Sequence, residues 1–207
     1  MSFSAVILAG GKSSRMGRDK AFLPIGDTVL LDRQIELARE AGASEVLISG
    51  REAVDYTRFN CQILLDEKPD LGPLSGIAGG LNAARHPLLL VLAVDMPHMT
   101  AEYLKRLLSQ CGDGVGAVPA SGPMIEPLAA FYPKSSFRLI EELRAASSGS
   151  NSPGGQDFAR QCVKDGLARL VSVSANEVGL FKSLNVPADV PLPGRGSALK
   201  SEIKPLF

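Results

Sequence analysis

The chain has 207 residues, 45% of them hydrophobic and 21% charged, which is enough for one large domain with a sizeable core. Its formal net charge is zero, so the basic excess typical of proteins that bind nucleic acid or anionic membranes is missing. The longest apolar run, 88–94, is far shorter than the ~20 residues that span a bilayer. Three cysteines without a CxxC pattern fit a reducing compartment, so we expect a cytoplasmic protein.

Apolar, strand-like runs alternate with helical patterns along the chain. In chain order the predicted elements are a strand at 5–9, a helix at 28–41, strands at 45–49 and 62–65, a helix at 73–85, a strand at 88–94, a helix at 100–111, strands at 115–120 and 127–132, helices at 135–146 and 156–164, and a strand at 167–174. Asp27 or Thr28 would cap the first helix, and Gly42 would end it. The run 88–94 is apolar on both sides, which indicates a central strand.

This alternation predicts an α/β domain over residues 1–190, with three layers and a mostly parallel sheet between helices. The stretch 147–155, SSGSNSPGG, has no periodic pattern and predicts a flexible loop. Residues 191–207 are expected to form a tail outside the core. Right-handed crossovers place the loops that follow the parallel strands on one edge of the sheet, where ligands bind.

The loop after the first strand, LAGGKSSRMGRDK at 8–20, is rich in glycine and in basic residues, opposed only by Asp19. Gly10 and Gly11 allow backbone N–H groups to face a ligand, while Lys12, Arg15 and Lys20 can neutralise several negative charges. This pattern at a strand end favours a polyphosphate site over a solvated turn.

Two known phosphate motifs do not fit this loop. Val6 stands where a Walker A loop requires its first glycine, and the dinucleotide pattern GxGxxG is absent.

Asp95 follows the central strand and should lie opposite this basic loop. A carboxylate there would make sense if Mg²⁺ bridged it to phosphate oxygens. Two other interpretations stay open: Asp95 caps the helix that begins near Thr100, or it is hydrogen-bonded to Lys20 or Arg15. No Ser-His-Asp or Cys-His arrangement is evident, so phosphoryl-type transfer, which needs mainly positioning and charge neutralisation, is favoured over nucleophilic hydrolysis.

The segment GPLSGIAGGL at 72–81 carries three glycines inside a helical pattern, Gly76, Gly79 and Gly80, where glycine lowers helix stability. Close approach of a ligand and tight packing of the helix on the sheet would each explain them, and both interpretations stay open.

Four motifs, in order, resemble the molybdenum cofactor guanylyltransferases within the wider MobA-like nucleotidyltransferases. They are LAGGKSSRMGRDK (8–20), LLDEKPDLGPLSGIAGGL (64–81), VLAVDMP (91–97) and LFKSLNVPADV (180–190). The resemblance implies a Rossmann-like nucleotidyltransferase fold. It also implies transfer of GMP from MgGTP to the phosphate of molybdopterin, which releases pyrophosphate and forms the guanine dinucleotide cofactor.

The resemblance further implies roles for individual residues. Arg15 and Lys20 would act on the phosphates, Asp95 would hold Mg²⁺, Asp66 would lie near the base or ribose, and Asn185 would contact phosphates or metal. The residues that would bind the nucleotide and its metal are Leu8, Ala9, Gly10, Gly11, Lys20, Asp66, Asp95 and Asn185. GTP and molybdopterin are the implied partners. Contact with other cofactor-biosynthesis or molybdoenzyme-maturation proteins is compatible with this function, and a monomer is expected.

Several positions depart from the family's usual residues. In SLNVP, Ser183 replaces an asparagine and Val186 replaces a threonine, and EPL at 126–128, which begins with Glu126, stands where HPL or QPL is common. After the second strand, Ser49 and Arg51 stand where family members often carry an asparagine near the guanine. These departures leave the base and the acceptor open. A related enzyme that uses CTP or activates a sugar phosphate is one alternative, and a non-catalytic nucleotide-binding regulatory module is another. Gly11 favours guanine, since the cytidylyl relatives tend to read LAAG.

Overall fold

The computed structural model describes residues 1–10, 19–65, 72–146 and 153–184. Within them, the strands are β1 (Ser4–Leu8), β2 (Pro24–Ile25), β3 (Thr28–Val29), β4 (Glu45–Gly50), β5 (Gln62–Leu65), β6 (Leu88–Ala93), β7 (Gly116–Ser121), β8 (Met124–Ile125), β9 (Ala129–Pro133) and β10 (Ala168–Ser172). The helices are α1 (Leu30–Glu40), α2 (Pro73–Ala83), α3 (Ala101–Leu108), α4 (Phe137–Ala146) and α5 (Gly155–Lys164). Single 3-10 turns lie at Lys20–Phe22, Thr57–Phe59, Lys134–Ser136 and Val178–Phe181.

The main sheet has the order β10-β7-β9-β6-β1-β4-β5, and β8 pairs with β7. β1 lies between β4 and β6 and runs parallel to both, while β5 and β10 are parallel to their neighbours. Only β9 and the short β8 are antiparallel to the strands beside them within the described sheet. The predicted mostly parallel sheet is therefore confirmed, with β9 inserted in reverse.

The two faces of the sheet carry separate hydrophobic cores, as strand alternation requires. Ala5 and Ile7 of β1 pack with α1 and α3 on one face. Val6 packs with α2, α4 and α5 on the other face. All six residues of β6 are buried, which confirms its central position. The structure is the predicted three-layer α/β arrangement.

The start of α1 differs from the prediction. Thr28 and Val29 form β3, which pairs with β2 around Gly26 in a left-handed conformation at φ +58°. The helix therefore begins two residues later, and its N-cap residue Val29 makes no side-chain cap hydrogen bond. The prediction that Asp27 or Thr28 caps the helix is wrong, because Thr28 is held in the hairpin. The helix ends at Glu40, just before Gly42 as predicted.

Parts of the predictions fall outside the described residues. These are Gly11, Arg15, Asp66 and Asn185 of the site, most of the loop 147–155, and the tail 191–207. In the described part of the chain, no helix combines the length and the apolar character needed to cross a membrane.

A buried carboxylate joins β4 to β1 and to the turn before β6. Glu45 accepts hydrogen bonds from the Ser4 hydroxyl at 2.5 Å, from the Arg85 backbone N–H at 3.0 Å and from the Arg85 guanidinium. Burial would raise the pKa of Glu45, but these hydrogen bonds and the charge of Arg85 outweigh it and lower the pKa below the usual 4.5. Because its pKa is lower in the folded state, ionised Glu45 stabilises the fold at pH values above the ordinary carboxyl pKa. That stability is lost as pH falls through the lowered pKa.

We therefore expect Glu45→Gln to reduce the free energy of unfolding at pH 7 by about 1–2 kcal/mol, because a buried, charge-assisted acceptor is lost. On acidification below pH 4.5 the difference between the two proteins should shrink. Urea unfolding at a series of pH values measures both effects. Glu52→Gln, which changes an exposed glutamate, is the control. A constant difference from pH 7 to pH 3 would contradict the assignment.

Candidate functional site

The carboxyl ends of β4, β1 and β6 lie side by side. The Ala9 N–H donates to the Ser49 carbonyl at 2.8 Å, and the Val94 N–H donates to the Leu8 carbonyl at 3.2 Å. Ala9 is buried between these strand ends, and Leu8 and Gly10 are partly exposed. The glycine-rich stretch therefore leaves the sheet at its middle, on the edge where the topology predicts a ligand.

Lys20 and Asp95 meet at this edge. Lys20 Nζ lies 2.8 Å from Asp95 Oδ2, and the two side chains are 20% and 21% exposed. The prediction that the loops after β1 and β6 lie close together is confirmed for the described residues at both ends of the first loop. Of the interpretations left open for Asp95, the hydrogen bond to Lys20 is the one observed. The cap of α3 is Thr100, which accepts from the Tyr103 N–H at 3.3 Å.

The residue before Lys20 is anchored to a different strand. Asp19 accepts a hydrogen bond from the Ala21 N–H at 3.0 Å and forms an ion pair with Arg51, just after β4. The hydrogen bond that Arg51 donates to Asp19, reinforced by the negative charge of Asp19, raises the pKa of Arg51. Phe22 stacks on Tyr56 with ring centroids 6.0 Å apart. Adjacent residues of opposite charge thus fix the end of the glycine-rich loop to the ends of β4 and β6.

The main chain around Asp95 is held by hydrogen bonds that three successive carbonyls accept. The Leu184 N–H donates to the Asp95 carbonyl at 2.9 Å. Nε2 of Gln34, on α1, donates to the carbonyls of Val94 at 3.4 Å and Met96 at 2.8 Å. Sequence reasoning missed Gln34, whose only local signal is a polar residue on an apolar helix face. Leu184 immediately precedes Asn185, the candidate ligand outside the described residues.

The antiparallel strand β9 brings another segment to this edge. The Ala93 N–H donates to the Leu128 carbonyl at 2.8 Å, so the EPL stretch 126–128 ends beside the last residue of β6. Burial raises the pKa of the Glu126 carboxyl. Because β9 runs in reverse, the residues before it, rather than those after it, lie at the candidate site.

The glycines of α2 serve different purposes. A Cβ on Gly76 would lie 2.5 Å from Ser49 Oγ and 2.7 Å from a methyl group of Leu8, and one on Gly80 would lie 2.8 Å from Val6. Tight packing of helix on sheet therefore explains Gly76 and Gly80. Among the described residues, a Cβ on Gly79 would meet only Leu64, at 3.9 Å, which is an ordinary contact.

We expect Gly76→Ala to lower the free energy of unfolding by about 1–3 kcal/mol, because the added methyl group forces β1 and α2 apart. Gly79→Ala is the matched control on the same helix. It should raise the free energy of unfolding by up to about 1 kcal/mol, because alanine favours the helix more than glycine does. Urea unfolding compares the two, and equal changes would refute close packing at Gly76.

Comparisons with known proteins agree with this geometry. Residues 5–164 match the family model described as the MobA-like NTP transferase domain. The chain is 35% identical over 191 residues to the probable molybdenum cofactor guanylyltransferase of Opitutus terrae, a match that covers 91% of this chain and 93% of that protein. It is also 35% identical over 186 residues to the molybdenum cofactor guanylyltransferase of Xanthomonas euvesicatoria, covering 89% and 90%.

Among solved structures, the chain is similar to molybdopterin-guanine dinucleotide biosynthesis protein A from Archaeoglobus fulgidus. The TM-score is 0.66 at 19% identity, over 90% of this chain and 94% of that one. This likeness confirms the predicted Rossmann-like nucleotidyltransferase fold. The family model spans most of the chain, and both sequence relatives align along nearly their whole length. The chain therefore belongs to the MobA-like NTP transferase family.

Proposed function

We propose that this chain transfers GMP from MgGTP to the phosphate of molybdopterin, releasing pyrophosphate and forming molybdopterin guanine dinucleotide. The observation that carries the proposal is the pair of Lys20 and Asp95, at the end of a glycine-rich basic loop on the ligand-binding edge of the sheet. The names of the relatives from Opitutus terrae and Xanthomonas euvesicatoria support guanine as the base and the molybdenum cofactor as the acceptor.

The residues at the edge fit a nucleotide with a bound Mg²⁺. The Asp95 carboxylate already holds the ammonium group of Lys20 at 2.8 Å and stays about one-fifth exposed, so a cation can reach it. Within the described ranges no three His, Cys, Asp or Glu side chains cluster as metal ligands. Asp95 with phosphate oxygens and waters would therefore form the coordination that Mg²⁺ prefers.

The transfer needs positioning and charge neutralisation more than acid–base chemistry. A phosphate oxygen of molybdopterin forms a bond to the α-phosphorus of GTP. The bond from that phosphorus to the α–β bridging oxygen breaks, and pyrophosphate leaves with the bonding electrons. The acceptor oxygen carries no proton that a base must remove. Bound Mg²⁺ would neutralise phosphate charge and make the α-phosphorus more electrophilic.

The side chains then have distinct tasks in this proposal. Lys20, released from Asp95, would neutralise the negative charge that develops on the phosphates, together with Arg15. Asp95 would hold the metal, with Asn185 beside it. Asp66, which follows β5, would lie near the base or ribose. Leu8, Ala9, Gly10 and Gly11 would line the nucleotide.

Pyrophosphate release by the purified protein, with Mg²⁺ and molybdopterin, tests the proposal. Each of the four nucleoside triphosphates should be supplied in turn. GTP should give the fastest release and a molybdopterin guanine dinucleotide product. Faster release with CTP would show a cytidylyltransferase, and release with a sugar phosphate would show a different acceptor. GTP binding without pyrophosphate release would show a regulatory module.

The proposal also covers the setting of the reaction. Cys61 and Cys111 are partly buried, Cys162 is buried, and all three are free, which fits the reducing cytoplasm. We propose that the chain acts there as a monomer. Hand-over of the product to molybdoenzyme-maturation proteins would follow the transfer.

A further inference from the structure

Gln34 is a polar residue in an apolar setting. Its side chain is fully buried, and its neighbours Leu31, Ile35 and Ala38 on the same helix belong to the hydrophobic core. Its Oε1 accepts no hydrogen bond from any part of the chain that the structure describes. A buried acceptor without a partner lowers stability, so an apolar side chain would suit this helix face better. The presence of an amide at this buried position must therefore be explained by the hydrogen bonds that its nitrogen donates.

The nitrogen binds the main chain on both sides of Asp95. Nε2 donates to the Met96 carbonyl at 2.8 Å and, more weakly, to the Val94 carbonyl at 3.4 Å. The preceding residue of α1, Arg33, donates to the Met99 carbonyl at 3.1 Å. Two side chains of helix α1 thus donate hydrogen bonds to three carbonyls of the loop after β6.

We infer that Gln34 is a positioning residue: it fixes the loop that carries Asp95, and so places that carboxylate for the metal-bound nucleotide. The inference rests on the proposed function. Among the described residues, Gln34 donates hydrogen bonds only to main-chain carbonyls, so it acts through the loop and not on the substrate. Partners that orient a metal ligand change metal affinity or activity by roughly 10- to 100-fold when removed.

Gln34→Met tests the inference, because methionine fills a similar volume and removes both donors. Leu37→Met, at another buried position of α1, is the control for repacking of the helix. Three quantities should be measured for each protein: the Mg²⁺ concentration that gives half-maximal pyrophosphate release, kcat at saturating Mg²⁺ and GTP, and MgGTP affinity by titration calorimetry without acceptor.

For Gln34→Met we expect the half-saturating Mg²⁺ concentration to rise about tenfold and MgGTP binding to weaken in parallel. The value of kcat at saturation should change less, because high Mg²⁺ draws Asp95 back into place. Leu37→Met should match the wild type in all three. Such a split between metal dependence and turnover is not expected of a residue that serves stability alone.

Two results would overturn the inference. One is wild-type Mg²⁺ dependence and MgGTP affinity in Gln34→Met. The other is a parallel loss of melting temperature and kcat with unchanged Mg²⁺ dependence. If the wild type neither binds MgGTP nor releases pyrophosphate, the proposed function itself is wrong. If the wild type does both and Gln34→Met behaves like it, only the role of Gln34 is wrong.

Arg33→Met keeps the inference testable if Gln34→Met does not fold. Arg33 is only partly buried, and its removal frees the Met99 carbonyl at the far end of the same loop. The half-saturating Mg²⁺ concentration should again rise, by a smaller factor. An unchanged half-saturating Mg²⁺ concentration in Arg33→Met would contradict the inference that hydrogen bonds from α1 position this loop.

Discussion

Asp95→Asn should fold like the wild type and transfer nucleotide about 1,000-fold more slowly, a loss of about 4 kcal/mol of transition-state stabilisation. Asparagine keeps the shape of the side chain but not the negative charge that would hold Mg²⁺. The hydrogen bonds from Leu184 and Gln34 go to main-chain carbonyls, so they survive the substitution. Loss of the partly exposed ion pair with Lys20 should lower stability by about 1 kcal/mol or less.

Steady-state pyrophosphate release and thermal unfolding of the same preparation separate these effects. Asp113→Asn, which changes an exposed aspartate between α3 and β7, is the matched control and should behave like the wild type. Turnover within tenfold of the wild type in Asp95→Asn would remove Asp95 from the proposed metal site.

Lys20→Met should have two opposite effects. Turnover should fall by about 100- to 1,000-fold, because the charge that would stabilise the transferring phosphates in the proposed reaction is lost. Binding of Mg²⁺ without nucleotide should become tighter, because Asp95 loses the ammonium group that competes with the metal. Lys20→Arg should restore little activity, since a planar guanidinium does not reproduce a compact ammonium group.

Pyrophosphate release and calorimetric titration with Mg²⁺ alone measure the two effects. Lys105→Met, on the exposed face of α3, is the control for the loss of one positive charge. If Mg²⁺ binding in Lys20→Met were as weak as in the wild type, the ammonium group of Lys20 would not compete with Mg²⁺ for Asp95.

The order of elements and the layers were predictable because they depend on local burial patterns. The six-residue strand β6 is buried on both faces, and its run of apolar residues shows this directly. The direction of β9 was not predictable, since an apolar strand fits a sheet in either direction. The hairpin at 24–29 was missed because β2 and β3 have only two residues each, too few for a periodic signal.

The arrangement of the candidate site was predictable where it follows strands and unpredictable where it depends on partners distant in sequence. Asp95 lies at the end of a strand and Lys20 at the end of the basic stretch 8–20, the positions from which the sequence predicted that they meet. Gln34 bonds residues 60 and 62 positions away, and Asp19 pairs with a residue 32 positions away. No local pattern encodes such a pairing, because it arises only when the strands are assembled.

The double anchoring of Asp19 and Lys20 affects the entropy of ligand binding. Fixing the backbone of one residue costs about 1–2 kcal/mol, and bringing the ends of a free segment together costs more. The two described residues that flank 11–18 are both fixed before any ligand arrives: Gly10 follows β1, and Asp19 is paired with Arg51. In the proposed phosphate site, folding would thus supply the closure of the segment between them, and more of the binding energy would remain for affinity and turnover.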